Sequence, residues 1–558
     1  MSLNPVQAQT DTEFWFAVPR VTEGHGWDDN SFYFRFTNLD QPNQVFITMP
    51  ANPDFDPIEV NMDPNEALTV DVTDQIQELW TTNPDQIYNR GIQIIASELT
   101  TAYFEVGTFY NPDIFSLKGK NALGEEFFVP FQNRVENGDQ YDPSPYSAIY
   151  IVATQDNTTI TVTPTNDAFP GRPAGVPFDL VLDRGETIAV APDDYAGDGQ
   201  LPENRLGGTR VESDKPIAIT TSDDSVYGIT GCYDLIGDQI IPTSIIGTEY
   251  IAMKGELTAP EYFYVVGTQE GTEVLIDGNL EALIEPGEQL RWEFTKQNYH
   301  IETSKPAYVY HVAGFGCEQG GAVLPPIDVC TGSTSVSFTR SKGESFFLNI
   351  LVRAGAQDGF IFNGDGPNTV IEAADFEAVP GSANWLAAEF EMTQAQVPVG
   401  EATLIENEKD VFHLGIINGG PSSGTMYGYF SDFNELDISA NVSGTGSNHK
   451  ACFGVPIQLE AFGGTEYQWH PPDYLDDPTS PTPIALPDSS IKYTVTVSGA
   501  CQMVDSSSVF IHLHGPALAA FTIDEPAGCA PFDLVVNNES YGINHYSWSM
   551  GDGTVYTT

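Results

Sequence analysis

The chain has 558 residues, 21 of them basic and 78 acidic, which gives a formal net charge of 21 − 78 = −57. A chain this acidic offers no broad positive surface, so sequence-independent nucleic-acid binding is excluded, and an anionic membrane face would repel it. At 41% hydrophobic and 11% aromatic it still has material for packed cores, and 51 glycines with 39 prolines suit a turn-rich, all-β chain.

Residues 1–12 read as an N-terminal remnant, in which Val6-Gln7-Ala8 fits the small-x-small pattern ahead of a signal-peptidase cut. No run of about 18 apolar residues follows, so no membrane insertion is expected. Strand signals then dominate, as in Phe32-Tyr-Phe-Arg-Phe-Thr37 and Ala148-Ile-Tyr-Ile-Val152. The heptapeptide Asp74-Gln-Ile-Gln-Glu-Leu-Trp80 predicts one short helix, with Thr73 or Asp74 as its cap.

The chain repeats itself. Tyr150-Ile-Val-Ala-Thr-Gln-Asp-Asn-Thr-Thr-Ile160 matches Tyr264-Val-Val-Gly-Thr-Gln-Glu-Gly-Thr-Glu-Val274. Arg184-Gly-Glu186 matches Pro286-Gly-Glu288, with a weaker copy at Pro64-Asn-Glu66; Gly or Asn in the middle fits a turn residue with positive φ. Val211-Glu-Ser-Asp-Lys-Pro216 matches Ile301-Glu-Thr-Ser-Lys-Pro306, and its apolar-polar-apolar grammar predicts a hairpin whose returning strand begins at the proline.

These repeats divide the chain into four β units at 13–115, 116–232, 233–330 and 331–433, each suited to a small sandwich; the alternative is closure of the repeats into a propeller-like ring. Residues 434–450 read as a linker by composition. Residues 451–515 carry a Cys452, Trp469, Cys501 pattern on alternating strands, which reads as an immunoglobulin-like domain with a Cys452–Cys501 disulfide. Residues 516–558 begin a further sandwich that stops at about half the strands it needs. The pairing of Cys232, Cys317, Cys330 and Cys529 stays open, and an oxidising, extracellular setting is expected.

Three passages resemble known families. Thr12-Glu-Phe-Trp-Phe-Ala17, Ser116-Leu-Lys-Gly-Lys-Asn-Ala-Leu-Gly124 and Val323-Leu-Pro-Pro326 resemble the N-terminal region family of the IgG-Fc-binding protein, over roughly residues 12–433. Tyr546-Ser-Trp548 with Gly551-Asp-Gly553 resembles the start of a polycystic-kidney-disease (PKD) repeat, with Ser549 and Met550 in place of the usual Asp and Phe. Residues 451–513 are similar to immunoglobulin-like modules of very large bacterial surface proteins. The combination implies the N-terminal part of an exported adhesin, of the kind found in type IX secreting, gliding or surface-attaching cells, or a building block of an extracellular appendage. IgG binding does not carry over, because no residues defining an Fc site can be matched.

Candidate chemistry is sparse. Gly420-Pro-Ser-Ser-Gly424 spells the esterase string but lies between two strand-like runs, where a turn is expected. His512-x-His514 leaves a strand end and reads as solvent-exposed. Asp193, Asp194 and Asp198 form the best calcium loop, read first as a solvated acidic turn; Asp28-Asp29-Asn30 and Asp139 with Asp142 are lesser versions. Trp27 is a candidate exposed binding residue. The reading is therefore a secreted surface protein without catalysis, whose partners are another surface protein or a glycan, with homo-oligomers favoured by salt that screens the charge. The alternative is a secreted carbohydrate-binding or polysaccharide-degrading protein, in which a carboxylate pair is hidden among the acidic residues.

Overall fold

The computed structural model describes the chain apart from residues 1–8, 23–30, 39–40, 109–110, 139–140, 197–200, 229–230, 328–330, 365–369, 422, 434–438, 443–449, 453, 463–465, 499–503, 515–518, 541–544 and 558. It is all-β and divides into two bodies, Met1–Glu435 and Leu436–Thr558.

In the first body, β1 (Thr10–Ala17), β2 (Phe32–Asn38), β3 (Asn43–Thr48), β4 (Ile58–Met62), β5 (Ala67–Asp71), β6 (Gly91–Val106) and β7 (Asp113–Leu117) form one sheet that is nearly closed. The long β6 makes this possible. Its first half lies between β1 and β3, and its second half pairs β2 and β7. One strand thus serves both layers of a sandwich.

The same order recurs around β13. There the strands are β8 (Gly124–Val129), β9 (Ser147–Ala153), β10 (Thr158–Thr163), β11 (Phe178–Leu182), β12 (Thr187–Val190), β13 (Thr209–Tyr227) and β14 (Tyr233–Ile240). The third sandwich uses β15 (Glu249–Met253), β16 (Glu256–Leu257), β17 (Tyr262–Gly267), β18 (Thr272–Ile276), β19 (Asn279–Ile284), β20 (Gln289–Glu293), β21 (Asn298–Thr303), β22 (Ala307–Gly316) and β23 (Glu318–Val323). Here the long strand is broken in two, and the layers are β15-β21-β18-β19 and β16-β22-β17-β20 with β23 beside β22. The fourth has β24 (Ser335–Thr339), β25 (Ser345–Arg353), β26 (Phe360–Phe362), β27 (Glu377–Ala378), β28 (Trp385–Glu391), β29 (Ala402–Asn407), β30 (Phe412–Gly420) and β31 (Gly424–Tyr429), in layers β24-β29-β26 and β27-β28-β25-β30-β31.

The repeated peptides occupy equivalent places. Asn65, Gly185 and Gly287 all have positive φ, at 59°, 81° and 81°. In each turn the following glutamate accepts the backbone N–H three residues earlier: Glu66 from Asp63 and Glu186 from Asp183, both at 2.7 Å, and Glu288 from Glu285 at 3.1 Å. The expected hairpin at 211–216 is not one. β13 runs straight through Pro216 and crosses from the β8–β10 layer to the β9–β14 layer. The polar stretch is a corner, and a corner shares its turn-like composition with a hairpin. Its lysine is a clamp, because Lys215 Nζ donates to the carbonyls of Asp156 and Asn157, and Lys305 does the same to Glu270. The short helix forms at Ile76–Leu79 after a 3-10 turn, without a side-chain cap; the Thr73 hydroxyl instead accepts the Phe32 N–H at 3.0 Å.

The four sandwiches close on one another. β7 packs on β14, β14 on β23, β23 on β31, and β31 back on β7. The last strand of every sandwich therefore lines one axis, and nearly all their residues are buried. The cores run across the seams: Leu235 of β14 sits in the first sandwich's core, and Tyr103 and Ile114 of the first sit in the fourth's. Around the rim, the positive-φ turns of the second and third sandwiches each seat on the preceding sandwich. A Cβ on Gly208 (φ +86°) would lie 1.8 Å from the Gly287 carbonyl oxygen, and one on Gly91 would lie 2.7 Å from that of Gly185. Backbone reaches backbone there, so only glycine fits.

In the second body, Ser439–Val442 is a strand beside Ile457–Phe462, inside the segment read as a linker. Two small sheets pack around the fully buried Trp469, whose Nε1 donates to the Ser480 carbonyl at 3.0 Å. Beyond them lie two two-stranded ladders, Phe521–Ile523 with Val536–Asn538 and Ser547–Ser549 with Val555–Thr557. The Gly551-Asp552-Gly553 turn has both glycines at positive φ, and Asp552 accepts the Thr554 N–H at 2.8 Å.

Candidate functional site

The chemistry-bearing side chains of the first body gather along its axis and seams. Asp113 opens β7 with a fully buried carboxylate, which accepts N–H groups from its own Ile114 (2.8 Å), from Gly237 of β14 (3.2 Å) and from Tyr427 of β31 (3.2 Å). Burial still pushes its pKa well above the usual carboxylate value. Asp238 of β14 accepts the Val323 N–H of β23 at 3.0 Å and the Lys118 ammonium at 2.7 Å. Lys118 and Asp238 form a buried ion pair, each pulled toward neutrality by burial and held charged by the other. A carboxylate from one central strand thus satisfies the backbone of the next, where sheet pairing stops.

At one end of the axis Cys232 and Cys317 form a disulfide, Cα–Cα 5.9 Å, which joins the second and third sandwiches. Beside it, burial and then the charge of Glu318 push the Asp234 carboxyl well above the usual value, and burial raises that of Glu318. The seam between the third and fourth sandwiches holds a chain of three buried groups. Glu261 Oε1 bonds His311 Nε2 at 2.9 Å, and His311 Nδ1 bonds the Tyr427 hydroxyl at 2.8 Å. This has the order of a catalytic relay, but all three side chains are sealed from solvent, so no substrate reaches the hydroxyl. Nearby, Glu389 of β28 meets Glu256 of β16. Burial, then Glu256, push the Glu389 carboxyl up to about 7. In the second sandwich, Arg205 grips Asp223 through two bonds of 2.7 and 3.0 Å and also reaches Asn137, which closes a buried polar knot. Chemically, these groups lock strands and sandwiches together.

The residues singled out from sequence lie elsewhere. Asp193 accepts the Gly171 N–H at 2.8 Å, and Asp194 accepts the Asn204 amide at 2.8 Å, with its other oxygen buried and unpartnered. Asp198, Trp27, Asp28, Asp29, Asp139, Cys330 and Cys501 lie outside the described residues, as does the side chain of Cys452. Among the described residues one trio of metal-type ligands converges, Cys232, Cys317 and Glu318, and two of these are spent in the disulfide. Gly420 and Gly424 flank the turn between β30 and β31, and no helix follows. His512 is exposed and packs edge-on against Phe510, while Cys529 is free and exposed. Asp113, Asp234 and Asp238 are not among the candidates named from sequence; Asp113 opens Asp-Ile-Phe-Ser-Leu and the other two stand in Tyr-Asp-Leu-Ile-Gly-Asp-Gln-Ile, and an acidic residue within a largely apolar strand is the signal that points to them.

The fold and its buried network define an all-β array of sandwiches, tied by a disulfide and by carboxylates placed between strands. The chain belongs to the IgGFc binding protein family, whose model matches residues 115–414, more than half of its length. No curated protein matches it. Among solved structures, an alpha-2-macroglobulin of Salmonella is 10% identical over 94% of this chain and 40% of its own, with a TM-score of 0.17. The present chain therefore spans about two fifths of that protein. A Ca2+-stabilized adhesin with which an Antarctic bacterium binds ice is 10% identical over 91% and 99% of the two chains, with a TM-score of 0.11. Invasin, a bacterial integrin-binding protein, is 10% identical over 70% and 79%, with a TM-score of 0.12. At such TM-scores the likeness does not extend to the arrangement of the sandwiches. Among the described residues no helix is long and apolar enough to cross a membrane.

Proposed function

We propose that this chain is a secreted or cell-surface protein that acts in adhesion, or as a building block of an extracellular appendage, by binding through its outer surfaces without turnover. One observation carries the reading: the buried acids, bases and tyrosines of the axis and seams are engaged between sandwiches, where they serve rigidity, and the relay-like Glu261, His311 and Tyr427 are sealed. The Cys232–Cys317 disulfide supports an oxidising, extracellular setting. Family membership supports a binding role, with another surface protein or a glycan as partner. The −57 charge makes self-association dependent on salt.

The test immobilises the full chain on beads and measures retention on arrays of extracellular proteins and glycans, at low and high salt. Reducing-end release from soluble polysaccharides is followed in parallel. Saturable retention without release is expected. Sustained release would replace the reading with the polysaccharide-degrading one, and no saturable retention on any surface would remove it.

A further inference from the structure

Lys118 directly follows β7, and Asp238 lies in β14, the last strand of the second sandwich. Their side chains meet at 2.7 Å with exposures of 0% and 2%. Among the described residues three other lysines pair with carboxylates, Lys120 with Asp11, Lys296 with Asp277 and Lys409 with Asp358, and each keeps a third or more of its side chain in solvent. The buried arginine pairs, such as Arg205 with Asp223, hold a guanidinium that stays charged and is no nucleophile. Among the described residues, then, Lys118 with Asp238 is the one ion pair that buries a primary amine against a carboxyl group.

The hydrogen bonds around this contact have the polarity of a condensation. Lys118 Nζ donates to Asp238 Oδ1 and to the carbonyl and hydroxyl oxygens of Ser116, both at 3.3 Å. Once the ammonium has passed a proton to the carboxylate, its two remaining N–H bonds stay on Ser116 and its lone pair faces Asp238. Burial disfavours both charges and so favours that transfer, lowering the amine and raising the carboxyl. Asp238 Oδ2 accepts the Val323 N–H at 3.0 Å and Oδ1 accepts the Gln239 N–H at 2.8 Å, so backbone donors already point at the oxygens on which charge develops during attack. The Ser116 hydroxyl lies 3.4 Å from Oδ1 and bridges it to the amine. The Phe433 ring covers Nζ at 5.3 Å.

We infer that Lys118 and Asp238 join in an amide, a cross-link that the folded chain forms within itself. The free amine attacks Cγ of the protonated carboxyl, and the N–C bond forms as the C=O pair moves onto Oδ2, held by the Val323 N–H. A proton passes from the nitrogen through the Ser116 hydroxyl to Oδ1, the C–Oδ1 bond breaks, and Oδ2 becomes the amide oxygen. One ammonium and one carboxylate enter, one amide and one water leave, and nothing is oxidised or reduced. Groups held in such an orientation react as if at roughly 10⁵–10⁸ M, which offsets the cost of condensation, and a site closed to solvent resists hydrolysis. The bond fastens the end of β7 to β14 across 120 residues of chain. The inference goes beyond the proposed binding role and does not rest on it.

Mass spectrometry of the full chain tests this. The chain is purified folded, then reduced and denatured so that disulfides do not contribute to the mass. The parent should be lighter than its sequence by the mass of one water, and Lys118→Arg should carry its full sequence mass. Trypsin does not cut after an acylated lysine, so a digest of the parent should leave the segments around Lys118 and Asp238 joined in one branched peptide. A parent of full sequence mass would overturn the inference. So would linear peptides carrying an unmodified Lys118 and an unmodified Asp238, a water loss that maps to other residues, or a water loss that persists in Lys118→Arg. The parent's own digest decides the matter even where the arginine variant does not fold.

Discussion

Glu389 and Glu256 meet across the seam between the third and fourth sandwiches, and replacing Glu389 by glutamine should change how stability depends on pH. The Glu389 carboxyl is raised from 4.5 to about 7, first by burial and then by the charge of Glu256 and the hydrogen bond to it. A carboxyl raised on folding favours the fold while protonated. Its contribution is complete below the unfolded value and is lost as pH climbs through the folded one. At about 1.4 kcal/mol per pH unit the interval amounts to roughly 3 kcal/mol, and solvent reaching the exposed Glu256 reduces this to about 2 kcal/mol. Glutamine keeps the neutral form at every pH and can still donate to Glu256. Urea unfolding of parent and variant between about pH 5 and about pH 8 should therefore show the parent losing about 2 kcal/mol relative to Glu389→Gln as pH rises. Parallel pH profiles, or a variant less stable than the parent at the alkaline end, would refute the reasoning.

Three other expectations concern the axis and the rim. Lys118→Met strands Asp238 in the interior and should cost about 3–5 kcal/mol in urea unfolding, part of which returns in Lys118→Met/Asp238→Asn; a single variant within about 1 kcal/mol of the parent would remove the ion pair from the account. Loss of the Cys232–Cys317 link in a double serine variant frees a loop of 85 residues. That should cost about 4–5 kcal/mol in the chain-entropy picture, read as a lower unfolding midpoint that matches the reduced parent. Gly208→Ala drives a methyl into the Gly287 carbonyl and should lower the melting temperature by more than any alanine substitution at the open Gly171, a comparison that differential scanning calorimetry reads directly.

How much was legible depended on range. The all-β class, the turns at Asn65, Gly185 and Gly287 and the family itself were written in short peptides, because strand alternation and positive φ are local properties. The corner at 211–216 was misread because a strand changing layers and a hairpin use the same polar residues, and only the register distinguishes them. The axis was not legible. Lys118 and Asp238 are 120 residues apart, and Asp113 reaches the Tyr427 N–H across 314, so no window of sequence contains both partners. The Cys232–Cys317 pairing stayed open for the same reason, with four cysteines and no local rule to choose among them. The acidic loops that drew attention as ligands were visible because they are local, and there Asp193 is spent on the neighbouring Gly171 N–H.

The first and last sandwiches touch, and this has a topological consequence. The backbone N–H of Gln9 donates to the carbonyl of Phe430 at 3.4 Å, Asp11 holds the Lys120 N–H at 2.7 Å, and Asn121 holds Asp432 at 2.7 Å. The polypeptide comes into the ring and leaves it at one place. The whole circuit of four sandwiches therefore adds almost nothing to the distance between the points where the chain arrives and departs. Tension applied at those points would load the seam between the first and last sandwiches, including the Asp113–Tyr427 bond and the core that Tyr103 and Ile114 share with the fourth, while the rest of the circuit stays out of the load path.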